Sequence, residues 1–175
     1  SAQDNELKTY ILYALTVVGD VDFAHVNRIY RERNSLQTNG LALLALTYSR
    51  LNRPEIAAEL LGLLNARAKV QRDDVTGKQR VFWSSDSPYS WLQQDVDTTA
   101  LALLALQRSE PASPRIAEVA AWLSTQRQWL GWGSMKSNAR VSSALYDYFS
   151  NTKHATDRYV VKIAVNGQEI QTVNV

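Results

Sequence analysis

The residues best placed to do chemistry are Asp95-Val96-Asp97-Thr98-Thr99-Ala100. Two carboxylates this close can share a proton, and the one kept protonated can act as a general acid. Asp95 and Asp97 are the carboxylates of that pair. The same stretch has a plainer reading: an Asp ahead of an apolar helix caps it and suits the positive end of the helix dipole. The two histidines, His25 and His154, have no second His at metal-ligand spacing. Asp22 and Asp157 each stand three residues from one of them, Asp22 at an expected helix cap and Asp157 in an expected loop. His25 is placed near the surface of its helix. Cys is absent, which excludes thiol nucleophiles, disulfides and thiolate metal sites within the chain. No Gly-rich phosphate loop or Ser-His-Asp set is present. We assign no catalytic, cofactor-binding or metal-binding residue, and expect no enzyme.

Composition narrows the classes further. With 175 residues, 45% of them hydrophobic, the chain suits one domain or a piece of a larger one and can bury a sizeable core. A formal charge of +2, with basic residues scattered among acids, gives no reason to expect a nucleic acid partner. Arg28, Arg31 and Arg33 around Glu32 are a local exception, read either as a partner patch or as a solvated face. No apolar run approaches membrane-spanning length, so no direct membrane insertion is expected, and Ser1–Leu7 is too polar for a signal peptide. The chain starts without Met in a polar lead-in, and we expect an excerpt of something longer.

The elements that must position these residues are helices in a repeat. Thr38–Arg67 is echoed at Thr98–Arg127, both carrying Leu-Ala-Leu-Leu-Ala-Leu (Leu41–Leu46, Leu101–Leu106), then Pro54 or Pro114, Ile56-Ala57 or Ile116-Ala117, Leu63 or Leu123, and Arg67 or Arg127. Roughly a dozen of some thirty aligned positions are identical, which marks stacked helical hairpins. Spacing predicts helices over Leu7–Val18, with an apolar stripe at Leu7, Ile11, Leu12, Leu15 and Val18, and over Phe23 to about Arg33 behind a cap at Asp22. Further helices run from Ser35 or Thr38 to Leu51, from Pro54 to about Lys69, from Asp97 or Thr98, from Ser113-Pro114, and from about Lys136 to Phe149. Val70–Gln94 breaks the rhythm as a long connection with a small hairpin, a turn at Asp73–Lys78 and a short strand at Arg80–Trp83. After Thr152 and Lys153, Tyr159–Val165 and Glu169–Val175 flank Asn166-Gly167, a strong hairpin signal.

The five Trp residues suit either a sugar or lipid cleft or the plugs of a helical barrel. Trp122 falls on a core face, and Trp132, between two glycines, reads as a turn anchor. Phe82, Trp83, Tyr89 and Trp91 are expected to pin the long connection, Trp83 and Trp91 at its flanks.

Two stretches carry a resemblance: Asp97-Thr98-Thr99-Ala100-Leu101-Ala102-Leu103-Leu104-Ala105-Leu106, and Ala121-Trp122-Leu123 with Gln126-Arg127 and Gly131-Trp132-Gly133-Ser134. Their ordered combination resembles the alpha-2-macroglobulin and complement thioester family. More narrowly, it is similar to the C-terminal half of the thioester domain in bacterial alpha-2-macroglobulin-like proteins, over nearly the whole chain. The resemblance implies a mainly α fold: a partial α/α toroid of about seven helices over residues 1–153. Residues 154–175 would then be a β-hairpin that starts a CUB-type β-sandwich.

For function, the resemblance implies a scaffold segment of a peptidase inhibitor, a protease trap of the periplasm or cell envelope. In that family, cleavage of a bait region exposes a thioester that captures the protease covalently. Its partners would be proteases, through the full-length parent, and other domains of the same chain. The segment would position and shield the thioester and hold no chemistry itself. The family's Cys-x-Glu-Gln motif is missing here, so it lies upstream of Ser1 or is absent from the parent, and the family's His would also precede this segment. Met135-Lys136 replaces the usual Thr-Gln or Thr-Lys, a mild change expected on a turn. A partial toroid leaves apolar faces without neighbours, so the isolated segment is expected to self-associate or to fold its β segment back onto the open side.

Two other readings stand beside this one. The Asp97 stretch looks like the Asp-x-Asp-Asp-Thr-Ala motif of class II terpene cyclases, except that Thr98 takes the fourth position; the resemblance implies Asp97 as the acid that protonates an alkene and Asp95 as its hydrogen-bonded partner. That enzyme, or a prenyltransferase-like barrel, requires a deep apolar cavity lined by aromatics with Asp97 inside it. A helical-repeat binding module requires instead an open concave groove.

Overall fold

Leu and Ala, two strong helix formers, fill Leu41–Leu46 and Leu101–Leu106, and both runs lie in helices whose side chains are almost all buried. A computed structural model describes residues 2–74, 77–86, 94–129, 131–152, 160–165 and 168–174. Among these the chain is mainly α. Its helices are α1 (Ala2–Val18), α2 (Phe23–Arg31), α3 (Thr38–Arg50), α4 (Pro54–Asn65), α5 (Asp95–Ser109), α6 (Arg115–Thr125) and α7 (Met135–Asn151). A short 3-10 turn, Arg33–Ser35, leads into α3. Strands β1 (Lys69–Arg72) and β2 (Gln79–Phe82) pair antiparallel, as do β3 (Val160–Val165) and β4 (Gln168–Asn174).

The helices form two layers. α1, α3, α5 and α7 make an inner row, each packed on the next, while α2, α4 and α6 back α1, α3 and α5 respectively. The row is curved. At about 8–10 Å per packed helix pair, a flat row would separate α1 from α7 by roughly 25–30 Å, beyond the reach of two side chains. Yet the Arg140 guanidinium of α7 lies 5.7 Å from the centroid of the Tyr10 ring of α1. The curved stack of repeated hairpins has the form of a partial α/α toroid.

Local chemistry sets the hairpin turns. Leu51 ends α3, and Asn52 follows at φ 54°, in the left-handed region that Asn tolerates better than most residues. Arg53 N–H then donates to Tyr48 O at 3.0 Å and Asn52 N–H to Ser49 O at 3.2 Å, so two otherwise orphaned carbonyls are satisfied. Pro54 opens α4 where its missing N–H costs nothing. Asp22 caps α2 as expected, accepting from Ala24 N–H at 2.8 Å. Gly131 has φ 108°, and a Cβ there would stand 2.2 Å from Asn138 Oδ1, the atom that accepts Trp132 N–H at 2.6 Å. Trp132 also donates its indole N–H to Leu123 O at 2.7 Å, with the Arg127 guanidinium 5.8 Å from its ring centroid, which makes this Trp the anchor of the α6–α7 turn.

Several expectations need correction. α4 stops at Asn65, and Lys69 belongs to β1, the strand that completes the small hairpin with β2. α5 starts at Asp95, two residues early, and α7 starts at Met135. The apolar stripe of α1 packs only in part: Leu12 is buried in the core and Leu15 half-buried, but Leu7 is 62% exposed, Ile11 48% and Val18 74%. Beside Leu12, α1 buries the polar Asn5, Thr9 and Thr16. Thr9 and Thr16 return their hydroxyls to the carbonyls of Asn5 and Leu12, so these short side chains are satisfied within the helix and allow close approach to α3. In α2 the spacing predicts an inward face of Phe23, Val26, Ile29 and Tyr30; Val26 and Ile29 are buried and Tyr30 is half-buried against the core, whereas Phe23 is 44% exposed.

The long connection is pinned as its aromatics suggest. Phe82 stacks on Trp122 with centroids 4.8 Å apart, and Trp122 is buried. Trp83 is fully buried; its indole N–H donates to Leu64 O at 2.7 Å, and its backbone N–H and O both meet the Thr99 hydroxyl. Asp86 then accepts Thr38 N–H at the start of α3. Tyr89, Trp91, Lys153, Tyr159 and the Asn166-Gly167 turn lie outside the described residues.

Trp83→Ala removes a fully buried aromatic side chain together with its indole donor to Leu64 O. It is expected to cost about 3–5 kcal/mol in urea unfolding. Trp129→Ala, at a side chain 95% exposed in the turn after α6, is expected to stay within about 0.5 kcal/mol of the parent. Equal losses at the two positions would refute the anchoring role of Trp83.

Candidate functional site

All four inner helices run in the same direction, and their first turns meet at one end of the concave face. There they enclose a cleft of about 340 Å³. α1 contributes Glu6, Leu7 and Tyr10, α3 contributes Asn39 and Leu43, α5 contributes Leu101, and α7 contributes Lys136 and Arg140. Leu43 and Leu101 are core residues that show the cleft only their edges, so its floor is apolar and its rim polar.

Asp97 stands behind the rim, 2% exposed, on the first turn of α5. Its Oδ2 accepts from Arg140 Nη1 at 2.6 Å and pairs with Lys136 Nζ at 2.9 Å. One buried carboxylate thus ties α5 to α7 and fixes both cations at the cleft. The Arg140 side chain is 17% exposed, while that of Lys136 is 56% exposed. Arg140 is held from the other side by the face of Tyr10. Across the cleft, Asn39 Nδ2 donates to Glu6 Oε1 at 3.2 Å. Among the described residues, Asp97 Oδ1 and Asn39 Oδ1 are buried acceptors without a hydrogen-bond partner in the protein.

This geometry alters both readings of the Asp97 stretch. Asp97 is not a cap: α5 starts at Asp95, its cap residue is Gln94, and no side chain makes the capping bond. Neither is it a partner of Asp95. Asp95 Oδ1 accepts from Ser85 N–H at 2.8 Å, and the Asp97 oxygens are either bound by the two cations or unpartnered. The hydrogen-bonded carboxyl pair needed for proton donation to an alkene is therefore missing, and the cleft has one aromatic wall residue, Tyr10, instead of an aromatic lining.

The remaining candidates resolve into structural contacts. His25 Nδ1 lies 3.0 Å from Asp22 Oδ2, both side chains well exposed. The Ala24 N–H bond, then the His25 bond, hold the Asp22 carboxyl below its ordinary range. Both residues line a second, larger groove of about 610 Å³ between α1 and α2. The Arg cluster divides: Arg33 donates to Glu59 Oε1 at 2.6 Å and lies over the Tyr30 ring, whose hydroxyl also donates to Glu59. Those two bonds, Tyr30 first, keep the Glu59 carboxyl below its ordinary range. Glu32 accepts from Asn5 Nδ2 at 2.7 Å. His154 and Asp157 lie outside the described residues. No group of three or more His, Asp or Glu side chains that could hold a metal occurs among the described residues, and no helix there is long and apolar enough to cross a membrane.

Lys136 and Arg140 were not expected at this site, and Met135-Lys136 lies in the first turn of α7, not in the preceding turn. Their i, i+4 spacing places both on one helix face and is legible in the sequence. What they reach for, a carboxylate 39 and 43 residues earlier, is set only by the packing of α5 on α7. Glu6 and Asn39 carry no local signal. No protein-family model matches the chain, and no curated protein matches it either.

Removing Arg140 leaves the buried Asp97 with only the half-exposed Lys136. Arg140→Met is expected to cost about 3 kcal/mol in urea unfolding, and Lys136→Met less than about 1 kcal/mol. Combining Arg140→Met with Asp97→Asn is expected to cost less than the two single losses together. Strict additivity would show that the pair is not coupled.

Proposed function

We propose that the chain is a scaffold segment of a bacterial alpha-2-macroglobulin-like peptidase inhibitor, a protease trap of the periplasm or cell envelope. The observation that carries the reading is the curved two-layer stack of repeated hairpins, with the Gly131-Trp132-Gly133-Ser134 turn before its last inner helix and the β3–β4 pair after it. In this reading the segment supplies shape and rigidity. Its buried contacts are rigid ones: Trp83 clamps the connection, Trp132 the last turn, and Asp97 the first turns of α5 and α7.

The exposed stripe of α1 at Leu7, Ile11 and Val18 also finds a use. It is the flank on which another hairpin of the parent would stack, and in the isolated segment it is the surface for self-association. Proteases would be met by the parent as a whole. A terpene-cyclase-like reading is not carried forward, because Asp95 and Asp97 are bonded to other groups.

The test is to read the coding sequence ahead of Ser1, express the encoded protein, and challenge it with trypsin. The expected result is a protease conjugate that survives denaturing gel electrophoresis and is abolished by prior methylamine treatment. A parent that neither retains trypsin nor loses its bait region to it would overturn the protease-trap reading.

A further inference from the structure

We propose that the open edge of β1 takes up an extended acidic segment of a partner protein as a third strand of the β1–β2 sheet. The site belongs to the connection between α4 and α5 and does not rest on the protease-trap reading. Three features define it: an unpaired strand edge, a concentration of positive charge and one uncovered valine.

β1 pairs with β2 along one edge, from Lys69 opposite Phe82 to Arg72 opposite Gln79. Among the described residues no strand pairs with its other edge, and all four β1 residues are exposed. On that edge alternate residues turn their N–H and C=O outward, the template that strand addition uses. Val70 and Val81 stand opposite each other and share one face of the sheet. Val81 is 1% exposed and Val70 57%, so the core covers that face at β2 and stops short at β1. An apolar residue opposite Val70 on an added strand would cover it from the outer side.

The hairpin is also where the positive charge of the chain is concentrated. Residues 67–80 hold Arg67, Lys69, Arg72, Lys78 and Arg80 against Asp73 and Asp74, five cations to two carboxylates, a net +3 where the whole chain carries +2. β1 itself contains no acid, and Asp73 is tied to Arg80. Lys69 Nζ donates to Ser84 Oγ at 2.6 Å and Arg72 Nε to Gly77 O at 3.2 Å. These neutral oxygens place both side chains without cancelling their charge, and each side chain keeps further N–H donors for a carboxylate.

Charge and register then select the occupant. A second copy of β1 is disfavoured: paired antiparallel over all four residues, it would set Lys69 against Arg72 at both ends, and like charges directly opposite each other repel. Lysine and arginine on an edge are a common guard against self-pairing, and the same guard favours carboxylates. A nucleic acid would answer the charge but neither the outward backbone groups nor Val70. An antiparallel strand that reads acid, any residue, apolar residue, acid from its N-terminal end meets Arg72, Gln71, Val70 and Lys69 in turn. It pairs both charges and covers the valine.

The experiment is titration of the 175-residue chain with the end-capped peptide Ser-Gly-Glu-Thr-Val-Glu-Gly-Ser, followed by amide resonances and amide hydrogen exchange. The expected result is saturable binding that shifts the β1 resonances and slows exchange at alternate β1 amides. N-methylation at one of the adjacent Thr and Val residues of the peptide is expected to weaken binding at least tenfold and at the other to leave it unchanged, because only alternate N–H groups face β1. The double variant Lys69→Glu with Arg72→Glu is expected to lose this peptide at least tenfold and to gain its counterpart with Lys in place of both Glu. Unaltered circular dichroism and melting temperature in the variant separate loss of the site from loss of the fold. Binding indifferent to N-methylation at both positions, equal affinity of the parent for the Lys peptide, or tighter binding of a short DNA duplex by the same hairpin would each overturn the proposal. So would perturbation confined to residues outside the hairpin, or no saturation up to about 5 mM peptide.

Discussion

The packing of α3 on α5 sets the conditions for everything around it. Both helices carry the same Leu-Ala run, and in each the alanines let the backbones approach while the leucines fill the space between layers. Because the two helices are equivalent in sequence, each offers its neighbours a similar surface. α4 backs α3 as α6 backs α5, and α1 and α7 are added at the two sides of the pair. A shared surface of this kind fixes direction as well as position. All four inner helices run the same way, so their first turns, and with them four positive dipole ends, collect at one end of the row.

That collection creates an electrostatic problem, and Asp97 answers part of it. Four helix starts with Lys136 and Arg140 nearby would concentrate positive potential on one spot. A carboxylate 2% exposed at the third residue of α5 neutralises one charge and receives both side chains on a single oxygen. Glu6 and Asp95 stand in the first turns or so of α1 and α5 with the same sign. A buried ion pair is a poor source of net stability, but breaking it is costly, because removing Arg140 leaves the buried Asp97 carboxylate with only the half-exposed Lys136. The same Arg140 that pairs with Asp97 lies against the Tyr10 ring, so this one side chain touches both α5 and α1 where the inner row curves.

Much of this was legible in the sequence, and the misses share a cause. The repeat, the Pro54 and Asp22 helix starts and the Trp132 anchor follow from local rules in which a residue acts on its own turn. Helix ends were less legible: Lys69 continues the helical spacing of α4 but is claimed by pairing with Phe82, a partner across the hairpin. The burial of α1 was misjudged for a related reason. An apolar stripe shows where hydrocarbon could be covered, yet Leu7, Ile11 and Val18 stay exposed while Thr9 and Thr16 are buried, because a Thr bonded to its own helix behaves as a small apolar residue. The cleft was invisible, for its walls come from four helices and only the i, i+4 pair of α7 is local.

Rigid repeats and a polar cleft are compatible within one molecule because they use different parts of each helix. The middle of α3 and α5 is hydrocarbon and pays the conformational entropy of folding, whereas the first turns carry Asn39, Asp97 and Thr98, whose polar atoms are not all answered inside the protein. A buried acceptor left without a donor costs stability, about 1–3 kcal/mol by mutational measures. The contacts that are answered at that end, Asn39 with Glu6 and Asp97 with Lys136 and Arg140, tie α1 to α3 and α5 to α7, so polar groups there set the same neighbours that hydrocarbon sets in the middle of the row.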